Sequence, residues 1–244
     1  MNAWGLTDKG VIRAQNQDAF FLQVLHEDNL ALLVVCDGMG GARAGDVASK
    51  LAMETFVGEV RGNLRPGINV AQMKQILLIS ANKANEAVYA QATTGGSFAG
   101  MGTTLVGALM SGFQAVVANV GDSRAYRVSS SGITRVTRDH SLVEDLIEKG
   151  DITLEEARFH PSRNLITRAL GTDPWVDCDL FDFVMDPGDF LLLCSDGLTN
   201  VVDEQEILYE VLHGGEPARA CAQLLELAYA RGGPDNITIA LVSL

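Results

Sequence analysis

Positive charge is scarce in this chain. Lys and Arg number 18 against 31 Asp and Glu, a formal net charge of −13 over 244 residues. That balance suits neither nucleic acid nor anionic lipid, which are bound through excess cationic side chains. Cysteine is sparse as well. Cys36, Cys178, Cys194 and Cys221 form no C-x-x-C pair, and Cys36 and Cys194 lie inside apolar runs. They read as buried thiols of a reducing cytosol, not as disulfides or a zinc site. His26, His140, His160 and His213 lack zinc-ligand spacing. No apolar signal core opens the chain. Residues 87–121 carry no charge, yet Gln91, Thr93, Thr94, Gly95, Gly96, Gly112, Gln114 and Asn119 interrupt them, so no 18-residue window there is continuously apolar. The expectation is a cytoplasmic, monomeric protein without membrane insertion. Repeats and low-complexity linkers are also lacking, which favours one unit over residues 1–244.

Apolar residues make up 47%, enough for a sizeable core. Alternation and short apolar runs mark strands near 4–7, 19–25, 29–37, 103–111, 113–122, 123–132, 180–184, 189–196 and 236–244. Helical periodicity marks 46–60, with Asp46 as its cap, then 70–91, a charged insert over 140–171, 204–212 and 216–230. This is not the alternation of a doubly wound sheet. Short turns between strands favour antiparallel pairing. The fold class is α+β, with central antiparallel sheets covered by helices.

Several apolar runs end or begin at an aspartate beside small residues: Cys36-Asp37-Gly38, Gly121-Asp122-Ser123, Ser195-Asp196-Gly197 and Pro234-Asp235-Asn236. Asp18 stands just before the strand at 19–25. One Asp-Gly alone reads as a turn. Several at strand ends can converge on one sheet edge, where their mutual repulsion calls for a cation. No Lys or Arg cluster is nearby in sequence. All-oxygen ligands favour a hard divalent ion, Mg²⁺ or Mn²⁺. The D-x-[DN]-x-[DN]-G loop of a calcium site is missing.

Seven motifs then occur in order: Arg13-x-x-Asn16-Gln17-Asp18-Ala19, VCDGMGG at 35–41, GMGTTL at 100–105, NVGDSRAY at 119–126, TRDHS at 137–141, LLCSDGL at 192–198 and GGPDNIT at 232–238. Together they resemble the type 2C (PPM) metal-dependent protein serine/threonine phosphatases in their short bacterial form. The resemblance implies a four-layer α-β-β-α sandwich with two core metal ions and a weaker third. It implies that Asp37 bridges the core ions, that Asp196 and Asp235 hold the first, and that the Gly38 carbonyl joins the second, with Asp18 in support. Asp122 would share the third with Asp196. Arg13 would clamp the substrate phosphate, and Asn236 would orient Asp235 or a water. Residues 141–168 match a flap, whose His160 is a candidate substrate contact. Met39 stands where eukaryotic relatives often carry His and many bacterial ones Met, and Ala42 where some bacterial ones carry His. Neither can protonate a leaving group, which leaves a metal-bound water or His160 as the acid.

The implied reaction is hydrolysis of phosphoserine and phosphothreonine on proteins, reversing a Ser/Thr kinase. Attack by an activated water needs no nucleophilic side chain, and the chain has neither a C-x5-R loop nor a nucleophile elbow. Two other readings compete with it. A phosphatase-like regulatory or binding module should have lost ligand aspartates. Acid–base hydrolysis by an Asp pair, as in glycosidases, fits poorly with 6% aromatics and the repeated Asp-Gly pattern.

Overall fold

The strand that carries Asp37 is buried on both faces, and this sets the layering. The computed structural model describes residues 1–25, 27, 29–40 and 44–244, with position 158 described by its backbone alone. His26, Gly41 and Ala42 lie outside the described residues. In chain order the elements are β1 (Asn2–Asp8), β2 (Asp18–Leu25), β3 (Leu30–Met39), α1 (Ala44–Asn63), α2 (Val70–Thr93), β4 (Gly102–Thr103), β5 (Leu105–Ser111), β6 (Gln114–Val120), β7 (Arg124–Ser129) and β8 (Gly132–Arg135). Then come α3 (Leu142–Lys149), α4 (Leu154–Arg158), β9 (Asp179–Val184), β10 (Phe190–Cys194), α5 (Asp196–Thr199), α6 (Glu204–His213), α7 (Pro217–Ala230) and β11 (Ile237–Ser243).

One sheet has the order β1-β11-β10-β7-β8; the other runs β2-β3-β5-β6-β9, with β4 added on β3. Every pairing is antiparallel. Period-two alternation divides β3 between two cores. Leu30, Leu32, Val34 and Cys36 point toward α1 and α2, where Phe56, Met73 and Leu77 are buried. Ala31, Leu33 and Val35 face the other sheet, against Leu191, Leu193, Ala240 and Val242. A third core packs Leu192, Cys194, Ile239 and Leu241 against Ile207, Val211, Cys221 and Leu224 of α6 and α7. Helices, sheet, sheet and helices thus form the four layers expected from the sequence.

Local chemistry explains the ends of several helices. Asn69 and Gln72 form a capping box at the start of α2. Ser141 caps α3, and Gly150 ends it in the left-handed region. Asp46 is not a cap. It lies within the first turn of α1, which begins at Ala44, and pairs with Lys50 one turn on. The charged insert is less helical than its pattern suggests, with only α3 and α4 formed. The uncharged stretch 87–121 is the end of α2, a 3₁₀ turn and strands β4 to β6. Among the described residues no helix is long and apolar enough to cross a membrane.

Candidate active site

Antiparallel register brings the strand-end aspartates to one edge. Asp18 opens β2 and is the register partner of Asp37 in β3. Cys194 pairs with Ile239, so Asp196 just beyond β10 and Asp235 just before β11 fall at the same end of the other sheet. Asp122 follows β6, whose Val120 pairs with Leu105 next to Thr104. Thr104 in turn brackets Asp37: its Oγ1 accepts the Asp37 N–H at 2.8 Å, and its own N–H donates to the Asp37 carbonyl at 2.9 Å.

β3 does not stop at Asp37. It continues through Met39, pairing Gly38 with Thr103 of β4. A Cβ on Gly38 would lie 2.1 Å from the Gly45 carbonyl oxygen and 2.5 Å from that of Gln17. A Cβ on Gly45 would reach within 2.6 Å of the Gly38 carbonyl oxygen. The two glycines let the start of α1 close on the strand at Gly38.

Hydroxyls join the two sheets at this edge. Ser195 Oγ and Thr238 Oγ1 both donate to Asp18 Oδ2, at 2.8 and 2.6 Å. Behind them Thr7 Oγ1 lies 2.7 Å from Thr238 Oγ1 and accepts from Asn16 Nδ2 at 2.8 Å. Thr104 Oγ1 lies 2.8 Å from Ser123 Oγ. The sequence patterns alone do not single out these hydroxyls, because Ser and Thr near strand ends have many structural uses. Their place within the aspartate motifs was the available signal.

The carboxylates repel one another. Burial, with repulsion from Asp196 and Asp235, pushes Asp18 up to about 7 against its hydrogen bonds from Thr238 and Ser195. Burial, then Asp196 and Asp139, pushes Asp122 up to about 8. Asp37 is held well above the ordinary range by burial and by Asp18, Asp196, Asp122 and Asp235. Asp196 is raised by burial and by Asp235, with hydrogen bonds involving Asp37 and Asn200 opposing. These are the directions expected when anions are gathered away from water without enough positive charge.

Two arginines stand near. Arg124 grips Asp139 through Nε at 3.0 Å and Nη2 at 2.6 Å, and so is committed to structure. Arg13 Nη2 donates to Asp235 Oδ2 at 2.7 Å, with half of the arginine side chain exposed. The Arg13 loop is pinned by Asn236, whose Oδ1 accepts the Gln17 N–H and whose Nδ2 donates to the Lys9 and Gln15 carbonyls. The Asn236 side chain is thus occupied by this loop, while its backbone N–H donates to Asp235 Oδ1 at 2.8 Å. His160 follows α4, and its Nδ1 accepts the nearby Ser162 N–H at 3.2 Å. The structure therefore gathers Asp18, Asp37, Asp122, Asp196, Asp235, Gly38 and Arg13, while the hydrogen bond of the His160 ring is local.

A divalent cation fits this donor set. Among the described residues Asp18 Oδ1 and Asp122 Oδ1 are buried oxygens without a hydrogen-bond partner, a costly state that a hard cation relieves. Among the described residues no three or more His, Cys, Asp or Glu side chains already close round one point as a ligand cage. Hydrogen bonds from Arg13, Ser195, Thr238 and Asn200 hold several of the oxygens instead.

Comparison with known proteins bears on the fold and the family. Residues 13–227 match the family model described as Protein phosphatase 2C. The serine/threonine phosphatase stp of Listeria monocytogenes is 39% identical over 243 residues, covering 99% of this chain and 95% of that protein. The crystal structure of the serine/threonine phosphatase Stp1 from Staphylococcus aureus superposes with a TM-score of 0.92 at 40% identity, covering 99% and 94% of the two chains. The catalytic domain of the serine/threonine protein phosphatase PstP, in complex with two manganese ions, gives a TM-score of 0.85 at 33% identity, with 99% and 97% covered. Matched along nearly its whole length in sequence and in fold, this chain belongs to the protein phosphatase 2C family of metal-dependent serine/threonine phosphatases.

Proposed function

We propose that Asp37, Asp196 and Asp235, with the Gly38 carbonyl, hold two core Mn²⁺ or Mg²⁺ ions, that Asp18 supports the second, and that Asp122 with Asp196 takes a weaker third. The observation that carries this reading is the pair of buried, partnerless oxygens on Asp18 and Asp122 within a group of mutually repelling carboxylates. The manganese-bound relative supports the choice of ion. When bound, such ions offset carboxylate and phosphoryl charge and make water nucleophilic near neutral pH.

The side chains of this protein do the rest. Arg13, planar and always charged, presents a fork to the substrate phosphate. Asn236 fixes the loop that aims it. Ser195 and Thr238 engage one oxygen of Asp18 and leave the other free. Residues 141–168 form the flap over the substrate, where His160 meets the phosphoprotein. The whole of 1–244 acts as one catalytic unit. It works as a monomer in the cytoplasm on phosphoproteins made by a Ser/Thr kinase. Its four free thiols suit that compartment.

The test is chelation and add-back on a phosphoserine peptide. Activity should vanish with chelator and return with Mn²⁺ in the wild type. Asp37→Asn should keep its circular dichroism yet lose roughly 10²-fold or more in kcat, as when a preorganised electrostatic contact is removed. Full turnover by the stripped wild-type protein, or by Asp37→Asn, would overturn the assignment.

A further inference from the structure

His140 is almost fully buried and sits where three parts of the chain meet. On one side is Gly121, the residue before Asp122. The Gly121 N–H donates to His140 Nδ1 at 3.0 Å, and the Gly121 carbonyl accepts the His140 N–H at 2.9 Å. On the other side is the return of the 141–168 insert. The His140 carbonyl accepts the Thr167 N–H at 2.8 Å, and the next residue, Ser141, pairs with Ile166 in a short antiparallel bridge. The third part is β9: His140 Nε2 is 3.2 Å from Asp179 Oδ2. Arg168 Nη1 lies 3.0 Å from the same ring nitrogen and donates to Asp179 Oδ1 at 3.0 Å.

The Nδ1 contact fixes the tautomer, and Arg168 Nη1, itself a donor, is then joined to the ring through the shared Asp179 carboxylate, not by a bond to Nε2. Nδ1 accepts a backbone N–H, so the proton of the neutral imidazole is on Nε2, facing Asp179. Burial keeps the ring below its ordinary pKa, which favours that neutral form. Gly121 needs such holding. Its φ of +109° is a conformation that glycine tolerates, and glycine adds no side chain of its own to anchor the turn. Asn119 Nδ2 assists, donating to the Arg138 carbonyl at 2.9 Å and to that of Gly121 at 3.3 Å.

We infer that His140 is a positioning residue for Asp122: Nδ1 holds the Gly121 peptide and so fixes the Asp122 carboxylate, while Nε2 ties the same loop to the base of the 141–168 insert. The inference rests on the reading of Asp122 as a ligand of the weaker ion. It explains why a histidine stands here. Asparagine offers an acceptor near the place of Nδ1 but cannot reach Asp179. Glutamine offers a donor near the place of Nε2 but has no acceptor toward Gly121. Only the imidazole spans both.

That difference supplies the experiment. Metal-stripped wild type, Asp122→Ala, His140→Ala, His140→Asn and His140→Gln are titrated with Mn²⁺ by calorimetry, and amide exchange is followed over 141–168. Asp122→Ala should lose the weak site and keep the tight ones. His140→Ala should weaken the weak site by about 10–100-fold, the usual effect of removing a group that orients a ligand, and should also lose protection in the insert. His140→Asn should restore most of the weak-site affinity but not the protection; His140→Gln should do the reverse. Should His140→Ala fail to fold, the Asn and Gln variants still divide the two halves. A weak site abolished by Asp122→Ala but unchanged in all three His140 variants would overturn the inference alone. A weak site that survives Asp122→Ala would overturn the reading of Asp122 beneath it.

Discussion

Asp18 and Asp37 are register partners across β2 and β3. Directly opposed residues share a face of the sheet, with Cβ atoms roughly 4.5–5.5 Å apart, and like charges so placed destabilise the pair. A sheet built for stability alone would avoid this. Here the strain is offset on one side by the Ser195 and Thr238 hydroxyls, which satisfy Asp18 Oδ2. On the other side Asp18 Oδ1 is left without a partner.

The first prediction concerns pH. In the metal-free fold Asp18 is pushed up to about 7 and Asp122 to about 8, from an ordinary 3.8. Between those values the folded state keeps protons that the unfolded chain has released, so stability falls as pH rises through the window. Below the ordinary value both states are protonated and the two groups contribute nothing. Scanning calorimetry on stripped protein should show Tm dropping from about pH 5 to about pH 8. The gap between Mn²⁺-loaded and stripped protein should widen over the same range. A stripped Asp18→Asn, Asp122→Asn variant should lose part of that slope, Asp37 and Asp196 carrying the rest in the same direction; an unaltered slope would exclude Asp18 and Asp122 as its source.

Arg13 and Asp235 supply the second. Their ion pair is partly exposed, so it contributes little, about 0–1 kcal/mol. Arg13→Ala should therefore leave Mn²⁺ affinity within about fivefold of wild type. Phosphopeptide KM should rise clearly, with Arg13→Lys recovering only part, because lysine cannot make the two-pronged contact. Equal kcat/KM across the three proteins would exclude a phosphate clamp.

A third prediction separates substrates at Asp122. Met39 carries no proton to donate, so departure of a serine alkoxide must draw on another group, and we place that source beside Asp122. Asp122→Ala should keep the tight metal sites and lose more kcat on phosphoserine peptides than on an activated aryl phosphate, whose leaving group needs little protonation. Steady-state kinetics on both substrates decides this; a uniform loss would move the proton source elsewhere.

The fourth tests packing behind the site. A Cβ on Gly197 would lie 1.9 Å from the Asn236 carbonyl oxygen and 3.4 Å from Asp235 Cβ. Gly197→Ala should cost roughly 1–3 kcal/mol in urea unfolding, as overpacking does, and should weaken Mn²⁺ binding by displacing Asp235. Gly58→Ala in α1, where a Cβ meets nothing within 4 Å, should instead stabilise by about 0.5–1 kcal/mol. Equal stabilities for the two variants would refute the packing account.

The sequence by itself determined which residues could carry the chemistry and the kind of layers that hold them. Period-two and period-3.6 patterns are properties of a few consecutive residues, so the strands around Val34, Val117, Leu192 and Ile239 and the helices around Phe56, Leu77 and Leu224 were legible without the fold. Aspartates beside glycine at strand ends were legible for the same reason. Tertiary structure alone decided the contacts between distant segments. The pairing of β1 with β11, the grip of Ser195 and Thr238 on Asp18, the hold of Asn236 on the Arg13 loop and the meeting of His140 with Gly121 depend on register and layer packing. So does the run of β3 past Asp37, which exists because β4 arrives beside Gly38. The charged insert forms little helix because amphipathic periodicity states which face could be buried, whereas the partner that buries it is supplied by the fold.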